Sequence, residues 1–197
     1  MVGPDPPFCE RFEPPVVVKP NSTTRGVGVA KAADLDSFLG ICDYLSLVHD
    51  YRATGDRSFL VQEFVDGAVD YRVMVLEGEY VGAVERRLPE DARATEDARG
   101  TGTTSGTEGA RGTGRWKHNV HRGATAAGVD LDDELRELAE ATASELELPF
   151  CGVDLLVADD RVVVNETNAR PTIDAATKYE PDFYDRLAGA IEACART

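Results

Sequence analysis

Two apolar runs constrain this chain more than any other feature: "CGVDLLV" from Cys151 and "RVVVNETN" from Arg161, separated only by Ala158, Asp159 and Asp160. Their β-branched content reads as a pair of strands. The first run carries Asp154 in its interior, where a carboxylate costs several kcal/mol unless it is paired or bound to a metal. The second reads as a buried strand but runs straight into Asn165, Glu166, Thr167, Asn168 and Arg170, which bury poorly unless something binds them. Glu166 and Asn168 are two apart and project from the same face. If the strands pair antiparallel with a three-residue loop at Asp159-Asp160-Arg161, Asp154 lies opposite Glu166; a two-residue loop turns Asp154 to the other face. In the first register three oxygen ligands converge. Oxygen donors without His or Cys select a hard cation, magnesium or manganese, usually one that also holds phosphates. The spacing is equally compatible with two solvated carboxylates at strand ends.

At 197 residues the chain is long enough for one good core or for two small lobes. Its net charge of −15 disfavours a non-specific nucleic-acid or membrane binder, whose affinity rests on a basic surface. The acids are scattered rather than blocked, which reads as a highly solvated acidic surface of the kind found in salt-loving organisms. Cys9, Cys42, Cys151 and Cys194 show no metal-ligand spacing and read as reduced thiols. The opening "MVGPDPPFCERFEPP" has neither a basic segment nor an apolar core of a leader, and no apolar run approaches the ~20 residues of a membrane span. These features predict a cytoplasmic protein.

After the proline-rich residues 1–14, "PVVVKP" is a short strand, and "NSTTRGVGVA" is a Ser/Thr/Gly loop returning as extended chain. Asp34 predicts the start of a helix running to about His49 that buries Leu35, Phe38, Leu39, Leu45 and Val48. "SFLVQEFVDG" is a buried strand closed by a turn at Asp66-Gly67, and "DYRVMVLEGEYVGAVERRL" is a hairpin around Glu77-Gly78. Residues 90–114 are Gly, Thr, Ala, Arg and Glu almost without large apolar groups, and read as a flexible insertion. Asp130 then caps a helix with Leu131, Leu135, Leu138, Thr142 and Leu146 on one face, ending before Pro149. A short amphipathic helix closes the tail from Pro181. Mixed elements without strict βαβ alternation predict an α+β fold.

Lys19 stands between three valines and a glycine-rich loop, where its ammonium could meet a phosphate cradled by loop N–H groups. The loop itself fits neither the Walker A nor the dinucleotide pattern. Asp70 and Arg72 share a face of "DYRVMV", and Arg86, Arg87, Lys117, Asn119, His121 and Arg122 form a cationic set in an otherwise acidic chain. Oxygen ligands together with cations suggest a metal and phosphates.

The ordered series "VVVKP…GVGV", "LVQEFV", "DYRVMV…VGAVERR", "NVHRG", "CGVDLL" and "VVNETNARP", from about Pro15 to Asp174, resembles ATP-grasp enzymes, most closely the RimK-like amino-acid ligases. That resemblance implies an ATP-grasp fold of two α+β lobes, a small one at 15–64 and a larger one at 65–197, with the nucleotide between them. It implies ATP and magnesium or manganese as cofactors, with a carboxylate acceptor and an amino acid as substrates. By it, Lys19 holds ATP phosphates under a lid running from Asn21 through Gly26 to Gly28. Gln62, Glu63 and Phe64 form the adenine hinge, and Asp70 lies near the ribose. Asp154, Glu166 and Asn168 carry the metal. Arg86, Asn119, Arg122 and Arg170 attend the phosphoryl group or an acyl phosphate, which an amine attacks to give an amide. Two features depart from the family. Its ligases carry an N-terminal domain and a further ATP-contacting lysine before the position of Val16, where this sequence has a proline-rich stretch, and they lack the long insertion between Arg87 and Trp116. The expectation is therefore a ligase, or an ATP-binding module without independent turnover, with a homo-oligomer or a partner chain supplying the missing domain.

Overall fold

The structure, a computed structural model, describes residues 13–23, 26–48, 55–56, 58–87, 125–159, 161–173 and 175–196. The chain divides into two compact units between Asp66 and Gly67. In the first, β1 (Val16–Pro20) lies between β2 (Ala30–Ala32) and β3 (Phe59–Glu63), antiparallel to both. Val16, Val18 and Ala32 are fully buried on one side of this sheet. Helix α1 (Leu35–Val48) packs against β1 and β2. Its start is fixed by Asp34, whose Oδ1 accepts from the Ser37 amide at 2.7 Å while Ser37 Oγ accepts in return from the Asp34 amide at 3.1 Å. Contrary to expectation, Leu35 and Leu39 are about half exposed while Leu45 is buried. A three-stranded sheet with a three-residue edge strand is too narrow to cover a 14-residue helix. For the same reason β3 is half-exposed rather than buried.

The second unit is built on a five-stranded antiparallel sheet in the order β6-β5-β4-β7-β8, formed by β4 (Val69–Leu76), β5 (Glu79–Arg87), β6 (Thr125–Val129), β7 (Phe150–Ala158) and β8 (Arg161–Asn168). The β4–β5 turn at Glu77-Gly78 has positive φ at both residues, as a two-residue hairpin requires. One face packs on α2 (Asp133–Glu145), burying Val73, Val75, Val153, Leu155, Leu135 and Ala139, each larger side chain contributing roughly 1.5–3 kcal/mol. The helix is capped by Asp132, which accepts from the Leu135 amide, and not by Asp130, which pairs with Arg136 instead. Leu146 lies beyond the helix and is exposed. At one end of the opposite face, Met74, Leu76 and Val81 meet Tyr179 and Phe183, the latter opening α3 (Phe183–Ala195). The rest of that face carries the polar residues. The insertion at 90–114 lies outside the described residues, as do Lys117, Asn119, His121 and Arg122. None of the described helices is long and apolar enough to cross a membrane.

Candidate active site

Strand pairing decides which polar side chains share a face. Asp70 pairs with Arg86, Arg72 with Asp154, and Asp154 with Glu166, so alternation places all five on the side of the sheet away from α2. Asn168, opposite Gly152, joins them. The β7–β8 loop is shorter than the one expected to give this alignment: Ala158 pairs with Arg161, leaving two residues between. On its own that register would place Asn165 opposite Asp154. A bulge between Asp154 and Leu155 absorbs Asn165 as an extra residue and restores the Asp154–Glu166 pair. As the edge strand, β8 is half-buried rather than buried, and Glu166 is exposed while Asn168 is partly covered.

Asp154 is 1% exposed. Its carboxylate receives a guanidinium fork, with Arg72 Nε donating to Oδ1 at 2.7 Å and Nη2 to Oδ2 at 2.8 Å. Arg86 Nη2 stands 2.9 Å from the same Oδ2 and 2.5 Å from Asp70 Oδ1, which also accepts from Arg86 Nε at 3.0 Å. Two aspartates and two arginines therefore form one charge-balanced chain across three strands. Burial pushes the Asp70 carboxyl up to about 6, against the opposing pull of Arg86. Burial alone would lower the pKa of Arg86, but Asp154 and Asp70 outweigh it and push it up. Asp70 is thus the counter-ion of Arg86, with Oδ2 the oxygen that Arg86 leaves for another partner.

The donor set suits a hard cation. Oδ1 of Asp154 meets one guanidinium nitrogen where Oδ2 meets two, Glu166 stands directly across, and Asn168 Nδ2 donates to Glu166 Oε1 at 3.3 Å, leaving the amide oxygen as an acceptor. Among the described residues no group of three or more His, Cys, Asp and Glu side chains is placed to hold a metal ion. Arg170 is exposed just beyond β8.

In the first unit, Lys19 and Gln62 lie on the same side of the sheet as Lys31, because Val17 pairs with both Lys31 and Gln62. Phe64 follows on that side, and Lys31 Nζ sits 3.4 Å from its ring centroid. Glu63, opposite Val16, projects to the other side. Gly26 and Gly28 both adopt positive φ, and a Cβ on Gly28 would come within 2.7 Å of Pro20. The start of the glycine-rich loop is tied down: Asn21 Nδ2 and Ser22 Oγ both donate to Asp56 Oδ2, the former at 3.1 Å. Lys31 joins this face only through the β1–β2 register, which the sequence does not show. Arg72, which the sequence places beside Asp70, becomes the partner of Asp154 only through the pairing of β4 with β7.

Residues 7–106 and 103–184 match the RimK-like ATP-grasp domain. The chain belongs to the RimK-like ATP-grasp family. It is 31% identical over 192 residues to a probable alpha-L-glutamate ligase of Thioalkalivibrio sulfidiphilus, covering 92% of this chain and 52% of that protein. It is 29% identical over 166 residues to the ribosomal protein bS6–L-glutamate ligase of Escherichia coli, covering 83% and 45%. The chain thus spans about half the length of these curated relatives. In fold it is similar to the D-alanine–D-alanine ligase of Bacillus anthracis solved with ATP, at a TM-score of 0.59 and 16% identity over all of this chain and 57% of that one. The α+β architecture is therefore an ATP-grasp fold. The two matched segments of the RimK-like domain meet at 103–106, inside the Gly/Thr-rich stretch.

Proposed function

We propose that this chain is an ATP-dependent carboxylate–amine ligase that forms an amide through an acyl phosphate. The observation that carries this reading is the polar face of the larger sheet, where Asp154, Glu166 and Asn168 gather oxygen donors beside Arg72 and Arg86 in a chain of this family. The relatives' names make glutamate the first amino acid to test. Lys19 pairs with ATP phosphates, with Gly26 and Gly28 bringing backbone N–H groups close, as positive φ at glycine allows. Gln62 and Phe64 face the adenine, while Glu63, projecting to the other side, takes part through its backbone. Asp70 offers Oδ2 to the ribose. Asp154, Glu166 and Asn168 hold magnesium, which neutralises phosphate charge when bound. Arg86, Asn119, Arg122 and Arg170 stabilise the phosphoryl group in flight and the acyl phosphate, so that catalysis consists of positioning and charge compensation.

The test is ADP release that requires both a carboxylate acceptor and glutamate, with hydroxylamine diverting the activated carboxylate to a hydroxamate. ADP release independent of any carboxylate would exclude the ligase reading. Magnesium–ATP binding without turnover under these conditions would favour a second reading, an ATP-binding module.

A further inference from the structure

Arg72 has no part in the reaction as drawn above, yet it makes the most complete contact of the whole polar face. We propose that Arg72 is a positioning residue for the cation site, fixing the plane of the Asp154 carboxylate so that Oδ1 is presented toward Glu166 and Asn168. The inference rests on the reading of those three residues as cation ligands.

A carboxylate offers about four lone-pair positions. The Arg72 fork takes one on each oxygen, and Arg86 approaches Oδ2 as well. The oxygen left with acceptor capacity among the described residues is Oδ1. Sheet order gives that asymmetry a direction. Arg86 stands on β5, across β4 from Asp154, whereas Glu166 and Asn168 stand on β8, on the other side. Oδ2 is held from the β5 side, and the less occupied oxygen serves the β8 side. The fork is itself held in place. Gly152, on the same face as Asp154, has no side chain, and the Arg72 stem passes over it, with Cδ 3.7 Å from where a Cβ would stand. Pro171 closes the gap at 2.7 Å from the same point. A bidentate guanidinium resists rotation of the carboxylate about Cβ–Cγ; an ammonium, a point charge, does not.

The test is titration of the full chain with Mn²⁺ alone, following free Mn²⁺ by electron paramagnetic resonance, for the wild type, Arg72→Lys and Glu166→Gln. Arg72→Lys keeps the charge and loses the fork, and its Kd for Mn²⁺ is expected to rise about 10- to 100-fold. Unchanged or tighter binding by Arg72→Lys, with Glu166→Gln weakened, overturns the positioning role alone. Unchanged binding by Glu166→Gln overturns the cation reading beneath it. A second measurement does not depend on the folding of a variant: the Arg72 Nε–H resonance of the wild type, followed during Mg²⁺ titration, should stay slowly exchanging and hydrogen-bonded. Its collapse to a solvent-exposed position would show that the cation displaces the arginine, contradicting the proposal.

Discussion

Asp154 is tolerable in its buried position because two guanidinium groups meet it, and the same arrangement makes its removal expensive. Asp154→Ala leaves Arg72 and Arg86 without their shared counter-ion, and a loss of roughly 3–5 kcal/mol in denaturant unfolding is expected. Asp70 offers a pH test. Its folded pKa, about 6, lies above that of an unfolded aspartate, so the folded state binds the proton more tightly. The stability this contributes is present at low pH and lost as pH rises through 6. Asp70→Asn removes that dependence. From pH 4 to pH 7 the wild type should lose roughly 2–3 kcal/mol relative to Asp70→Asn, measured by paired urea titrations. A constant difference across that window would mean that Asp70 is ionised throughout. Asp154 was legible as a special residue, because a carboxylate in an apolar run needs a partner. Its partner was not: Arg72 lies 82 residues away and becomes a neighbour only through strand pairing.

At the scale of elements, alignment of the site depends on how the β8 bulge takes up one extra residue. Deleting Asn165 should remove the bulge and let the two-residue loop pair Glu166 directly with Asp154, leaving Mn²⁺ binding and circular dichroism near those of the wild type. Inserting one alanine after Asn165 should instead shift Glu166 and Asn168 out of register with Asp154 and abolish binding. The two strands and the convergence of Asp154 with Glu166 could be read from the sequence, but the bulge could not. Two loop lengths differing by one residue are equally plausible on paper, and only the completed sheet shows a short loop compensated by a bulge. Helix ends follow similar logic. Asp130 and Asp132 both have capping chemistry, and the choice between them rests on where Arg136 projects. The exposure of Leu35 and Leu39 depends on the width of the sheet beneath α1, which no local pattern encodes. Glycines give a paired prediction. Gly152→Ala forces a Cβ against Pro171 and should cost roughly 1–3 kcal/mol, whereas Gly189→Ala, in α3 with open space around it, should stabilise by about 0.5–1 kcal/mol. Thermal melts of the two variants check both signs.

The whole molecule carries a net charge of −15 while the proposed ATP-binding residues include cations, and the two should respond to salt in opposite ways. Self-repulsion acts over a Debye length of about 30 Å at 0.01 M salt and about 3 Å at 1 M, so melting temperature should climb with potassium chloride. The proposed attraction of nucleotide to Lys19 and Arg86 is screened by the same ions and should hold steady or weaken. Equal stability in dilute and molar salt would contradict the reading of an acidic, salt-adapted surface. The central claim is the proposal that this chain binds magnesium–ATP and that binding requires both Lys19 and the Asp154–Glu166–Asn168 set. Isothermal titration calorimetry of ATP in the presence of Mg²⁺, on the wild type, Lys19→Ala and Glu166→Gln, tests it most directly. Saturable binding by the wild type, at least about tenfold weaker in each variant and abolished by chelating the metal, is the expected result. Absence of binding by the folded wild type, or affinities unchanged in both variants, would contradict it.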